Sequence, residues 1–123
     1  MSDDRRARGL DVMERLSPGK GPAMVASLAD IAPRFADQVV DFAFGDVCGH
    51  PVLDLKTREI ATVAALTALG NARPQLVFHI RAARNLGCTR DEIVEVITQM
   101  AVYAGFPSAL NGLAAAREAF ADG

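Results

Sequence analysis

The chain has no tryptophan, one tyrosine, two cysteines and two histidines among 123 residues. With so little aromatic surface, the core has to come from Ala, Leu, Val, Ile and six Phe. Cys48 and Cys88 are too few for the disulfide framework of a small secreted scaffold. No apolar run reaches the roughly 20 residues of a membrane span; Thr, Gln, Arg or Gly interrupts each one. Cations are not in excess, since 13 Lys and Arg stand against 15 Asp and Glu. Without a basic stripe, nucleic acid is not an expected partner. The opening MSDDRRARGLDVMERL is charged and lacks the apolar centre of a signal peptide. A cytoplasmic protein is expected, with no membrane partner. Also missing are a nucleophile elbow, a phosphate-binding glycine loop and any zinc-ligand spacing, so no metal or cofactor is expected.

What is present is helix after helix. From Leu55 to Leu69 the chain is apolar on nearly every side beyond its first turn, the pattern of a buried helix. Asp54 is suited to cap its start and Gly70 to stop it. After a short NARP link, Leu76, His79, Ala83 and Leu86 fall on one face of a second helix. Thr89-Arg90-Asp91-Glu92 spells a capping box. The helix behind it carries Ile93, Val96, Ile97, Met100, Ala101 and Ala104, and Gly105 ends it. Pro107 opens a last helix with Leu110, Leu113, Ala114, Arg117 and Phe120.

Upstream, Asp4 to Leu16 reads as a helix presenting Leu10, Met13 and Leu16. Residues 17–22 read as a Pro/Gly loop. A short helix spans 23–28, and another runs from Pro33 to about Val47 before Cys48-Gly49-His50-Pro51 breaks it. The expected fold is all-α, a single-domain bundle of about six helices. An N-terminal helix and loop, 1–22, precede a helical domain, 23–123. A chain this small with half its residues hydrophobic carries more apolar surface than a monomer core hides, so a homo-oligomer is expected.

Two side chains stand out chemically. Glu59 lies in the early turns of the first central helix, and His79 lies on the apolar stripe of the second. Imidazole changes charge near neutrality and is the commonest general acid or base, although a histidine on such a stripe is ordinarily a hydrogen-bonded core residue. Glu59 taken alone complements the helix dipole or pairs with Lys56 or Arg58. Beside His79 it becomes an orienting or proton-relaying carboxylate. Cys88, just ahead of the Thr89 cap, is either a reactive thiol lowered by the helix dipole or a small buried residue.

LDLKTRE at 53–59, ALG at 68–70, His79-x-Arg81-Ala82-Ala83, GCTRDEI at 87–93 and MAVYAGFPSALN at 100–111 occur in this order and spacing. From Phe42 to Phe120 the chain thereby resembles the carboxymuconolactone decarboxylase family. The resemblance implies the AhpD-like all-helical fold, usually assembled as trimers or hexamers. It also implies one of two chemistries. The thiol peroxidases of this superfamily use C-x-x-C-x-x-x-H, but here Ala72 and Gln75 stand where the thiols would be. The decarboxylase branch needs no thiol pair and no cofactor.

Its implied reaction converts 4-carboxymuconolactone, a carboxylated lactone, to the enol-lactone of 3-oxoadipate. On that reading His79 is the proton donor or oxyanion partner and Glu59 its partner, with Arg58 or Arg81 clamping a carboxylate. In the loop VCGHP, Cys48 takes an aromatic place and His50 a basic one of the related pattern. Both are substrate-binding candidates, and the exchange of Arg for His points toward a different lactone or a keto acid. A non-catalytic oligomeric scaffold is the alternative, and a thiol peroxidase using Cys48 and Cys88 a more distant one.

Overall fold

The computed structural model describes residues 2–121; Met1, Asp122 and Gly123, at the outer ends of the two expected spans, lie outside them. Among the described residues there is no strand. The described residues form seven α-helices: α1 Ser2–Leu16, α2 Lys20–Leu28, α3 Pro33–Gln38, α4 Leu55–Leu69, α5 Arg73–Asn85, α6 Arg90–Ala104 and α7 Phe106–Ala121. The all-α expectation holds. Residues group into two compact units, Met1–Leu55 and Lys56–Gly123. No described helix is long and apolar enough to cross a membrane.

In the first unit, α3 runs directly into a π-helical stretch, Val39–Cys48, where an ordinary α-helix is expected. This stretch packs against α1. A Cβ placed on Gly9 of α1 would lie 2.0 Å from the Val40 carbonyl oxygen, and one on Gly45 would lie 2.3 Å from that of Arg5. The two backbones touch, which only glycine permits. The buried face of α1 is accordingly Gly9, Val12, Met13 and Leu16, while Leu10 is exposed, contrary to the sequence reading. Arg5 binds Asp46 through Nε and a terminal nitrogen at 3.2 and 2.6 Å, and Arg6 reaches Asp37 and Asp41. These ion pairs flank the glycine contact. The expected loop at 17–22 is shorter: Gly19, at φ 79°, is the N-cap of α2, and Pro22 sits in the first turn, where its missing N–H costs nothing.

In the second unit, Val63, Leu76, Val77, Ile80, Ala83, Ile93, Ile97 and Ala115 are among the buried core residues. Gly70 turns the chain between α4 and α5 at φ 78°, as its position predicts. The capping box at Thr89 forms in full: Glu92 N–H donates to Thr89 Oγ1 at 3.0 Å, and Thr89 N–H to Glu92 Oε1 at 2.8 Å.

Two expectations change. α7 turns inward its small residues, Ala109, Gly112, Ala115, Ala116 and Ala119, leaving Leu110 and Arg117 exposed. A methyl on Gly112 would meet Thr67 Cγ2 at 2.8 Å and Ile97 Cγ2 at 2.9 Å, so α7 packs too closely for larger side chains. Nor is α4 buried all round. Leu55, Glu59, Val63 and Thr67 form one buried line at steps of four, whereas Ala61, Ala65, Ala68 and Leu69 are exposed. Alanine counts as apolar but has little surface to drive burial.

Candidate active site

α4 and α5, consecutive helices joined by residues 70–72, bring the Glu59 and His79 side chains together across 20 residues of sequence. Glu59 follows the Leu55–Glu59–Val63–Thr67 line, so it points into the unit. His79, three residues past Leu76 and four before Ala83, leaves the same interior at its edge. Their side chains are 2.8 Å apart, His79 Nδ1 to Glu59 Oε2. The carboxylate is 5% exposed and the imidazole 17%. Only the imidazole can touch a molecule arriving from outside. A carboxylate oxygen accepts, so Nδ1–H donates and the outer nitrogen, Nε2, is the one left to exchange a proton. The Phe78 ring meets the imidazole edge-on, with centroids 5.0 Å apart.

Arg58 and Arg81 are both half-buried, on α4 and α5 respectively, each with a buried Nε. Neither is a fully exposed surface charge. His50 and Cys48 belong to the first unit. They line a cavity of about 230 Å³ together with Arg8, Asp11, Arg15 and Asp54. His50 is exposed, and its Nδ1 accepts from the Val52 N–H at 3.4 Å. The sequence reading missed Arg8 and Arg15. Their spacing with Asp11 and Val12 marks one face of α1, but nothing local ties that face to a loop some forty residues on.

Neither cysteine is in a disulfide. Cys88 is buried, and burial pushes its thiol up from the ordinary value. The small buried residue, not the lowered and reactive thiol, is what the structure holds ahead of α6: desolvation outweighs the nearby Lys56 charge.

The sequence profile of the carboxymuconolactone decarboxylase family matches residues 33–118. That stretch contains both members of the Glu59–His79 pair. The chain belongs to the carboxymuconolactone decarboxylase family. It is 36% identical to the 4-carboxymuconolactone decarboxylase of Acinetobacter baylyi over 99% of its own length and 92% of that protein. It is 35% identical to the nitrosuccinic acid decarboxylase of Metarhizium robertsii over 61% of its length and 52% of that protein. An uncharacterized 15.0 kDa protein of Paracoccus denitrificans is 29% identical over 93% of this chain and 86% of that one. Within this family the chain departs from the thiol-peroxidase pattern at Ala72 and Gln75, which stand on either side of Arg73 and Pro74 at the start of α5.

Proposed function

We propose that this member of the carboxymuconolactone decarboxylase family is a cofactor-free decarboxylase in which the Glu59–His79 pair handles the proton. The observation that carries the reading is the 2.8 Å bond between an enclosed carboxylate and a partly exposed imidazole. In 4-carboxymuconolactone the departing carboxylate sits on a ring carbon conjugated, through a double bond, to the lactone carbonyl. As the carbon–carbon bond breaks, its electron pair moves through that double bond onto the carbonyl oxygen and CO2 leaves. The resulting furan-like enolate takes one proton at the carbon next to the carbonyl. The substrate is its own electron sink, so the protein needs only to hold the acid groups, stabilise the oxyanion and supply the proton.

His79 fills that last role as the imidazolium: its Nε2–H gives the proton to the enolate carbon, and the ring is left neutral and is reprotonated from solvent. Glu59 fixes the ring and stabilises the imidazolium before the transfer. Arg58 and Arg81 are the proposed carboxylate contacts beside it. His50 and Cys48, with Arg8 and Arg15, are proposed as the wall of a second acid-contacting surface in the first unit. Nitrosuccinic acid poses the same chemical problem, because loss of the carboxylate next to its nitro group leaves the charge on nitro oxygens. It is therefore the second substrate to try. The reading places the enzyme in the cytoplasm as a homo-oligomer, a trimer or hexamer, supported by Leu69, Val102, Tyr103, Phe106 and Leu110, each 63% to 77% exposed.

Purified protein with 4-carboxymuconolactone, and separately with nitrosuccinate, followed by CO2 release, tests this. Turnover of one of them that falls by about 10²–10⁴ in folded His79→Ala is expected. Folded wild type that releases CO2 from neither substrate faster than buffer does would leave the scaffold reading in its place. Wild-type turnover undiminished in His79→Ala would remove the imidazole from the mechanism.

A further inference from the structure

A separate cavity of about 180 Å³ lies in the second unit, where the end of α4, the start of α5 and the first turns of α7 meet. His79 and Glu59 do not line it. Its lining combines apolar Leu66, Ala72 and Leu76 with polar Arg73, Ser108 and Asn111. The lining contains a guanidinium and no acidic residue, unlike the first unit's cavity, where Asp11 and Asp54 offset two arginines. Among the described residues the Ser108 hydroxyl and Asn111 carboxamide have no hydrogen-bond partner. Arg73 gives one terminal nitrogen to Glu118 at 2.9 Å, an exposed pair, which leaves it further N–H donors.

We infer that this cavity binds a small monocarboxylate, its carboxyl group on Arg73, Ser108 and Asn111 and its short apolar body against Leu66 and Leu76. Size decides the class. The volume, about 180 Å³, falls below the ~300 Å³ at which drug-sized pockets begin. A chain or ring of a few carbons fits. Charge decides the head group, because an uncharged ligand gains nothing from an Arg–carboxylate bond. The inference does not depend on the decarboxylase reading, since its measurement is binding and its residues are different.

The test is amide NMR of the full chain titrated with butyrate and, in parallel, with butyramide, the uncharged counterpart of the same shape. Saturable shifts centred on Ala72, Arg73, Ser108 and Asn111 are expected with butyrate in the millimolar range, and much weaker ones with butyramide. Arg73→Gln should weaken butyrate about tenfold or more. Glu118→Gln, which frees the guanidinium, should strengthen it severalfold, a gain that no purely structural role of Arg73 predicts. His79→Ala should bind butyrate as wild type does. Equal response to butyrate and butyramide, or no saturable shift at these residues, would overturn the proposal. So would a folded Arg73→Gln variant that binds butyrate undiminished.

Discussion

Glu59 Oε2 accepts from His79 Nδ1 at 2.8 Å, with the acid inside the second unit and the imidazole at its rim. The order of exposure makes the two residues unequal. His79→Ala would leave an enclosed carboxylate without its donor, so it should cost about 1–3 kcal/mol of stability as well as activity. Glu59→Gln keeps the shape and removes the charge, so it should lower turnover by about 10–100-fold while changing stability much less. Thermal melts of both variants, set beside their CO2-release rates, check this. A Glu59→Gln enzyme as active as wild type would mean that the carboxylate serves packing only.

The glycine contact of the first unit has a steeper consequence. Gly9→Ala would put a methyl group 2.0 Å from the Val40 carbonyl oxygen, and a backbone atom cannot step aside as a side-chain tip can. The substitution should destabilise the protein by about 2 kcal/mol or more. Gly19→Ala meets nothing within 4 Å and carries only the strain of its positive φ, so its loss should be smaller. Denaturant midpoints for the two variants make the comparison.

Thiol chemistry separates the two cysteines. Cys88 is 2% exposed and its thiol is pushed up by burial, whereas Cys48 is partly exposed. With a maleimide or a disulfide reagent at neutral pH, Cys48 should react at least about tenfold faster, since reactivity follows thiolate fraction and access. Cys88 should label only on unfolding. Equal labelling rates in the folded protein would contradict the buried, protonated state of Cys88.

The α6 cap predicts a pH effect with a definite sign. Backbone hydrogen bonding at Thr89, helped by Lys56, holds the Glu92 carboxyl below its ordinary 4.5. A carboxyl lowered on folding adds stability above its unfolded value and loses it as pH falls through the folded one. Glu92→Gln should therefore melt below wild type at neutral pH, and the difference should shrink in acid below 4.5. Thr89→Ala, which removes the other half of the box, should cost about 1 kcal/mol. Melting temperatures across pH give both. A Glu92→Gln deficit that grows in acid would have the wrong sign.

The parts of this structure legible in sequence are those with local causes. Gly70 and the Thr89–Glu92 box each need only a few residues to act, and both lie where their chemistry puts them. The Glu59–His79 pairing was foreseeable because a short link keeps two consecutive helices near each other, within reach of an inward-facing acid and imidazole. What escaped depends on partners far along the chain. The π winding of 39–48 accompanies Gly9, some thirty residues earlier, and no local pattern in VVDFAFGDVC announces it. Leu10 and Leu110 look like core residues by hydropathy, yet Gly9 and Gly112 hold the inward positions because backbone proximity, not side-chain area, decides those contacts. The exposed alanines of α4 were misread for a related reason: periodicity reports polarity and is silent on how much surface is worth covering.

That glycine joint also bears on where the molecule can be shortened. α1 reads as a charged leading helix, the kind of segment usually trimmed for convenience. Yet its main chain lies directly against the Val40 carbonyl, and Arg5 and Arg6 hold Asp46, Asp37 and Asp41. Cutting it away would strip cover from Val40 and Gly45, both buried, and strand three carboxylates in close succession without their cations. The leading helix is one half of a splice, and without it the stretch it joins loses its main packing partner within the first unit.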